Sequence, residues 1–414
     1  MKAIPIQGKY LVPMDSQTNI DLRLSAGRVA LVSTQPSSPE LVDVEAFLAR
    51  VRTLEQEINH QLTDMQEVVR VCLIALLCGG NVYLHSLPGA AKSTLARLIG
   101  EGIDGRFFRI LLNPDVTRND LLGSLDPKAI QQGTWARRPA GAMVADAALF
   151  DEFWKGSGAV RNMVLDLLEE HRVATPDGDL TVPLLIGFAA SNEIIEPNEK
   201  NAVFDRFLFR VILSYPKRGE DWARMVSGAS GRAPIQTRLA KEEILLVQAL
   251  VELQAQQLPA EIAQAMVTIK EAMDKQALHF SPRRFLGWAR AAVASAMLSG
   301  EPLSIRHLAV GQHILWIAPD TVNAVRNIVT GISDPSRGIL LAAQADLEEV
   351  RSDLDRAASY QEIAQLHARV KKIGKTLERV TGPEYRETIA ALKGAIQETF
   401  SAVIERANTF SQNP

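Results

Sequence analysis

The sequence predicts an α/β protein in which a parallel sheet is followed by an all-helical region. Between residues 81 and 215, short apolar runs alternate with stretches of helical spacing, which is typical of a parallel sheet with crossover helices. These runs are NVYLH, RFFRILL, ADAALF, LLIGFAAS and RFLFRVIL. Residues 216–330 and 336–410 then keep helical spacing. At 414 residues the chain is longer than one core usually supports, so two or three domains are expected.

Two further elements are predicted before the sheet. Polar and apolar residues alternate in NIDLRL and GRVALV, which indicates a small β-hairpin or ribbon within residues 1–40. Apolar residues then recur at helical spacing between residues 42 and 78, which predicts one helix or two in series. We therefore place domain boundaries near residues 40, 215 and 330.

Composition narrows the class of protein. A net charge of −3 and a pI near 6.2 give no general electrostatic reason to bind nucleic acid or an anionic membrane, and they favour protein partners. The two cysteines, Cys72 and Cys78, lie in an apolar helical stretch and are expected to be buried thiols. The N-terminus lacks the pattern of a secretory signal, and no apolar run reaches the length of a membrane span. A cytoplasmic, soluble protein is expected.

A phosphate-binding loop is predicted where the run NVYLH ends and a helix begins. The segment SLPGAAKST approximates G-x-x-x-x-G-K-[ST], in which backbone N–H groups cradle phosphates. Lys92 would reach the β- and γ-phosphates, and the Ser93 hydroxyl would bind Mg²⁺. Ser86 and Ala91 stand where the pattern has glycine, so a Gly-Ala loop with an exposed lysine is the alternative. The candidate nucleotide contacts are Pro88, Gly89, Ala90, Ala91, Lys92, Ser93 and Thr94.

Two acidic residues follow the apolar run AALF. Because that strand is expected to be buried, Asp151 and Glu152 would emerge at its carboxyl end, where open α/β sheets bind ligands. We expect Asp151 to hold Mg²⁺ with Ser93, and Glu152 to polarise the attacking water as general base. An acidic cap between a strand and the next helix is the alternative.

A polar amide ends the next apolar run. Asn192 follows LLIGFAAS, and from that position its side chain could bind the γ-phosphate or the lytic water. Asparagine is also a common turn residue at strand ends. Its order after the loop and the acidic pair favours the sensor role.

Three arginines are candidates for contacts with the γ-phosphate. Arg206 is the first choice for an arginine finger that reaches a neighbouring subunit's nucleotide, and Arg210 is the second. A salt bridge with Asp205 or a nearby acid is the alternative. Arg283, in the segment SPRR at the start of a predicted helix, could sense nucleotide from the helical region; there the alternative is Ser-Pro capping with solvated arginines.

The segments PGAAKS, LFDEFWKG, AASNE, FDRFLFR and SPRR together resemble the MoxR family of AAA+ ATPases, in particular its RavA-like branch. Agreement covers residues 45–320. The resemblance implies a P-loop NTPase (AAA+) core at 41–215, an all-helical lid domain at 216–330 and a helical hairpin or bundle as a C-terminal extension at 331–414. It also implies an insert in the second helix of the core, near 113–143, which in relatives bears a β-hairpin at the ring axis.

The resemblance also implies how such a protein acts. It implies ATP with Mg²⁺ as cofactors, a homo-oligomeric ring that is hexameric, and chaperone-like remodelling of a protein client. A partner with a von Willebrand factor A domain is implied as well.

Two other functions stay open. One is an ATP-binding assembly scaffold with weak turnover, which Ser86 in the loop favours. The other is a nucleic-acid motor, for which Trp135, Arg137 and Arg138 are the only local hint and against which the acidic pI argues.

Overall fold

The computed structural model describes residues 21–412 except 26–27, 33–39, 132–137, 176–177, 194–202, 217–218, 228–232, 358 and 381–384. The described residues divide into two compact units. The first contains the described residues up to Ala263 together with Leu278–Val322, and the second contains Gln264–Ala277 and the described residues from Asn323 onward. The helical region predicted at 216–330 therefore lies mostly in the same unit as the sheet. Which boundaries mark functional domains stays a prediction.

A small antiparallel sheet opens the described chain. Its strands are β1 (Asp21–Ser25), β2 (Arg28–Val32) and β3 (Glu40–Asp43), in the order β1-β2-β3. Strands β1 and β2 are the two segments whose polar and apolar residues alternate, so the predicted ribbon is present. Residues 1–20 lie outside the described part.

A five-stranded parallel sheet forms the centre of the first unit. Its order is β10-β4-β9-β6-β5, and each neighbouring pair is parallel. All five predicted runs form strands of this sheet. The sequence analysis missed the short antiparallel hairpin of β7 and β8. The strands are β4 (Val82–Ser86), β5 (Phe107–Leu111), β6 (Ala147–Asp151), β7 (Arg172–Thr175), β8 (Gly178–Thr181), β9 (Ile186–Ser191) and β10 (Phe209–Leu213).

Helices connect these strands and continue after them. The stretch from 42 to 78 forms two helices in series, α1 and α2, and Asp43 caps α1 by accepting from the Ala46 N–H at 3.1 Å. The helices of the first unit are α1 (Val44–Gln61), α2 (Gln66–Leu77), α3 (Lys92–Glu101), α4 (Arg118–Leu122), α5 (Pro127–Gln131), α6 (Gly158–Glu170), α7 (Gly219–Val226) and α8 (Lys241–Ala255). The helix α9 (Ala260–Asp274) spans the division between the units, and α10 (Pro282–Ser299) lies in the first.

Both cysteines are buried in or next to α2 and are free thiols, as predicted. Burial raises the pKa of each thiol well above its ordinary value. No helix among the described residues is both long and apolar enough to cross a membrane.

The described part of the predicted insert is mainly helical, and the expected β-hairpin stays a prediction. The described part of 113–143 forms the helices α4 and α5 and most of a 3₁₀ turn at Gly141–Val144. Backbone N–H groups of Arg138 and Ala140 donate to the carbonyls of Ser124 and Leu122, at 2.9 and 3.4 Å, and join the two ends of the segment. No strand of a hairpin occurs in its described residues, and 132–137, with Trp135 and Arg137, lie outside them. Arg138 pairs with Asp126 at 3.0 Å.

The second unit is helical, as the sequence predicts. Its helices after residue 322 are α11 (Val322–Ser333), α12 (Pro335–Arg356), α13 (Tyr360–Thr376) and α14 (Arg386–Gln412). Buried aliphatic residues of α12, α13 and α14 form one core that includes Leu347, Val370 and Val403. The arrangement agrees with the predicted helical hairpin or bundle.

An aromatic cluster fixes the segments around the carboxyl edge of the parallel sheet. Tyr83 of β4 contacts the rings of Trp154, Phe204 and Phe207, with centroids 4.9–6.5 Å apart. The Trp154 indole N–H donates to the Tyr83 hydroxyl at 2.8 Å. Phe153 packs against Trp154 and Phe207. The cluster therefore ties β4 to the residues that follow β6 and to those that precede β10.

Replacing Trp154 with alanine should destabilise the protein by about 3–5 kcal/mol, because the change leaves a cavity in this cluster. Trp222→Ala is the matched control: this indole is 48% exposed, and its loss should cost less than about 1 kcal/mol. Urea unfolding followed by circular dichroism measures both. Equal losses in the two variants would contradict the structural role of the cluster.

Candidate functional site

The loop between β4 and α3 is the centre of the site. Gly89 has φ +81°, and a Cβ at that position would meet no atom within 4 Å, so the loop is open on this side. Ala91, just before the first residue of α3, has φ +58° and ψ +21°, a left-handed conformation that is costly for alanine. The pattern has glycine at this position for that reason. Pro88, Gly89 and Thr94 are exposed, while Ala90 and Ala91 are half-buried.

Lys92, at the start of α3, is buried at 8% exposure, contrary to the alternative of an exposed lysine. Its ammonium donates to the Ser86 hydroxyl at 2.9 Å and to the Asn192 side-chain oxygen. Burial lowers the pKa of Lys92, and the nearby carboxylates of Asp151 and Glu152 oppose that shift. The ammonium is thus hydrogen-bonded to neutral oxygens beside an open loop, which fits a site for phosphate.

Ser93 and Asp151 lie together, as predicted for a magnesium site. The Ser93 hydroxyl donates to Asp151 Oδ2 at 2.8 Å, and Asp151 ends β6 with only 7% exposure. The backbone N–H of Glu152 donates to the other carboxylate oxygen at 3.2 Å. A hydroxyl and a carboxylate are oxygen ligands that Mg²⁺ prefers. The Ser93 hydroxyl and Asp151 Oδ2 are therefore close enough to bind one such cation together.

Glu152 and Asn192 are also brought together. Glu152 has φ +53° and leaves the strand in a left-handed turn, and its Oε1 accepts from the Asn192 amide at 2.9 Å. Its Oε2 is buried and lies 3.3 Å from the Lys155 ammonium, without the alignment of a hydrogen bond. Asn192 therefore bridges Lys92 and Glu152. One carboxylate oxygen of Glu152 keeps its capacity to accept a proton.

Arg206 and Arg283 share one carboxylate. Arg206 Nε donates to Glu169 Oε2 at 2.8 Å, and Arg283 Nη1 pairs with Glu169 Oε1 at 2.6 Å. Their side chains are 33% and 56% exposed. In the single chain, Arg206 thus forms the salt bridge that was the alternative to a finger, and its partner is Glu169 at the end of α6. Ser281 caps α10 through the Arg284 N–H at 3.3 Å.

Arg210 does not suit the role of a second finger. Its side chain is fully buried, donates to the Ile314 carbonyl at 2.9 Å and lies over the Trp316 ring, 4.9 Å from the centroid. A guanidinium enclosed by its own chain cannot reach a neighbouring subunit without leaving the core. The prediction for Arg210 is therefore corrected. Arg210 is a core residue that holds the segment around Trp316 against β10.

Two contacts at the site were not predicted. Arg109 of β5 donates to Asp151 Oδ2 at 3.0 Å, and the Tyr215 hydroxyl donates to the Pro88 carbonyl at 2.6 Å. A lone charge inside the apolar run RFFRILL is a signal that could have identified Arg109. No local pattern marks Tyr215 or Glu169, since tertiary structure alone brings them to their partners.

Comparisons with known proteins identify the family. A family model described as the MoxR domain in the MoxR-vWA-beta-propeller ternary systems matches residues 49–255. An uncharacterized protein of Methanocaldococcus jannaschii is 26% identical over 345 residues, which is 82% of this chain and 86% of the relative. Protein MoxR of Paracoccus denitrificans is 26% identical over 188 residues, covering 43% of this chain and 54% of that protein.

Solved structures include one with a similar fold. The crystal structure of a candidate ATPase from Cytophaga hutchinsonii has a TM-score of 0.57 and 17% identity, and the match covers 70% of this chain and 94% of that one. At this identity the similarity concerns the fold alone.

Restoring glycine at position 91 tests the backbone of the loop. Ala91→Gly should stabilise the protein by about 1 kcal/mol, because relief of the left-handed alanine outweighs the added freedom of the unfolded chain. Ala90→Gly is the control, since this neighbouring alanine does not have a positive φ, and it should not stabilise. Urea unfolding of both variants decides the matter. If Ala91→Gly is no more stable than Ala90→Gly, the loop conformation is wrong.

Proposed function

The chain belongs to the MoxR family of AAA+ ATPases, and from this we propose that it hydrolyses Mg-ATP to drive chaperone-like remodelling or assembly of a protein client. The observation that carries the proposal is the hydrogen-bonded set of Lys92, Ser93, Asp151, Glu152 and Asn192. These five side chains lie at the carboxyl ends of β6 and β9 and at the start of α3, the helix that follows β4. A phosphate, its cation and an attacking water need such an arrangement at one place.

Each residue has a distinct role in the proposed reaction. Lys92 and the backbone of the loop bind the β- and γ-phosphates, while Ser93 and Asp151 hold the cation. Bound Mg²⁺ would neutralise phosphate charge during transfer. The Glu152 carboxylate accepts a proton from the attacking water, and Asn192 orients both Glu152 and the γ-phosphate.

The arginines extend the proposal to an oligomer. We assign the finger to Arg206, because its side chain is partly exposed, and we keep Arg283 as a sensor. Both roles need the arginines to exchange Glu169 for phosphate when chains assemble. A homo-oligomeric, hexameric ring in the cytoplasm remains the proposed setting.

Partners are proposed from the family. The matched family model describes a system that joins a MoxR domain with vWA and β-propeller components. We propose that this chain likewise works with a protein containing a von Willebrand factor A domain and with a β-propeller. The comparisons do not single out the RavA-like branch that the sequence favours.

One observation favours the scaffold with weak turnover as a second candidate. The Ser86 hydroxyl accepts from Lys92 at 2.9 Å, so a side chain absent from the glycine pattern competes with phosphate for the ammonium. Such competition would weaken nucleotide affinity or slow turnover.

Removing the general base Glu152 and removing the Lys92 ammonium should have different effects on ATP binding and hydrolysis. Glu152→Gln should lower hydrolysis by about 10²-fold or more and leave ATP binding in place, because only proton transfer is lost. Lys92→Ala should abolish detectable binding of a fluorescent ATP analogue while the circular dichroism spectrum is unchanged. Glu193→Gln, at the same edge of the sheet, is the control and should retain both. Loss of ATP binding in Glu152→Gln would assign this residue a structural role instead.

Mixing inactive variants tests the finger and the oligomer together. Arg206→Ala and Glu152→Gln subunits should be inactive alone, but their mixture should regain hydrolysis, because some interfaces combine an intact pocket with an intact neighbouring arginine. A finger is typically worth about 10³–10⁵ in rate, so partial rescue stands above background.

The control mixture is Lys92→Ala with Glu152→Gln, in which every pocket is defective and no rescue is possible. Native mass spectrometry must confirm mixed oligomers. Mixed oligomers without any rescue would refute action of Arg206 on a neighbour.

A further inference from the structure

Arg109 holds an unassigned position at the proposed cation site. It lies on β5, an edge strand of the parallel sheet. In the pairing of β5 with β6, Arg109 is opposite Leu149 and Leu111 is opposite Asp151. Side chains alternate along a strand, so Arg109 shares a face with Phe107. Phe107 packs against Gly100 of α3, so this face is directed toward the helix that carries Ser93.

The guanidinium and the Ser93 hydroxyl bind the same oxygen. Arg109 Nη2 lies 3.0 Å and Ser93 Oγ 2.8 Å from Asp151 Oδ2, whereas Oδ1 accepts the backbone N–H of Glu152. The cation predicted for this site needs the oxygen that Arg109 already occupies. Two positive charges at one carboxylate oxygen repel each other, so they compete for it.

We propose that Arg109 competes with the divalent cation for Asp151 and thereby sets the concentration of Mg²⁺ at which the site fills. The inference rests on the proposed function, since it takes Asp151 and Ser93 as the cation ligands. The Arg109 side chain is 53% exposed at the sheet edge, so it can leave Asp151 without opening the core. A nearly buried carboxylate thus has a counter-ion from its own chain until the cation replaces it.

The experiment measures cation binding directly. Mn²⁺ serves as a paramagnetic probe, and its free concentration is followed by electron paramagnetic resonance with and without ADP. Arg109→Gln should lower the apparent Kd for Mn²⁺ by about tenfold or more, because the competing charge is gone. Arg109→Met, which also removes the charge, should do the same. Arg106→Gln is the matched control: it removes one exposed arginine directly before β5, and it should not change Mn²⁺ binding.

The outcomes separate this inference from the proposed function. If neither wild-type protein nor variants bind ADP, the proposed function fails, while tighter Mn²⁺ binding by Arg109→Gln alone still supports competition. If wild-type protein binds ADP but Arg109→Gln binds Mn²⁺ no more tightly than wild type, the competition is refuted. Weaker Mn²⁺ binding by the variant would also overturn it, since Arg109 would then support the cation site.

Discussion

The parallel pairing of β9 with both β4 and β6 is the constraint on which the site depends. The register pairs His85 with Ser191 and Phe150 with Ala189, so the three strands end at nearly the same level. Parallel strands bring their carboxyl ends to one edge, and residues far apart in sequence meet there. The aromatic cluster around Tyr83 and Trp154 holds the segments that leave this edge. Without that register, Asn192 could not bridge Lys92 and Glu152.

Charge balance explains how the chain holds this site together by itself. Lys92, Arg109 and Lys155 contribute three positive charges, and Asp151 and Glu152 contribute two negative ones. Arg109 pairs with Asp151, and Lys155 lies near Glu152, while Lys92 is bound by neutral oxygens. Because burial disfavours the charged form of Lys92, a bound anion would stabilise it. The arrangement favours phosphate at the lysine and a cation at the aspartate.

The sequence was sufficient to predict the strands of the parallel sheet and the residues that follow them. Buried parallel strands produce short apolar runs, and polar residues at their ends stand out, which identified Asp151, Glu152 and Asn192. Lys92 was recognisable because the loop pattern tolerates the changes at Ser86 and Ala91. These residues could be predicted since local pattern and chain order determine where they lie.

The surroundings of a side chain could not be predicted where they come from segments that are distant in the sequence. Arg210 lies inside the apolar run RFLFRVIL, but Trp316 and the Ile314 carbonyl, which enclose it, come from a remote part of the chain. Arg206 and Arg283 are far apart in sequence, and only folding brings both to Glu169. The hairpin of β7 and β8 was missed because its four-residue strands are too short to show a clear period.

The central claim is that the loop between β4 and α3 binds the β- and γ-phosphates of a nucleotide. Isothermal titration calorimetry of the wild-type protein with ATP, ADP and AMP, each with Mg²⁺, tests it most directly. Because charge-assisted bonds to buried groups are strong, ATP and ADP should bind about 100-fold or more tightly than AMP. Equal affinities for AMP and ATP, or no binding of any of the three, would contradict the account.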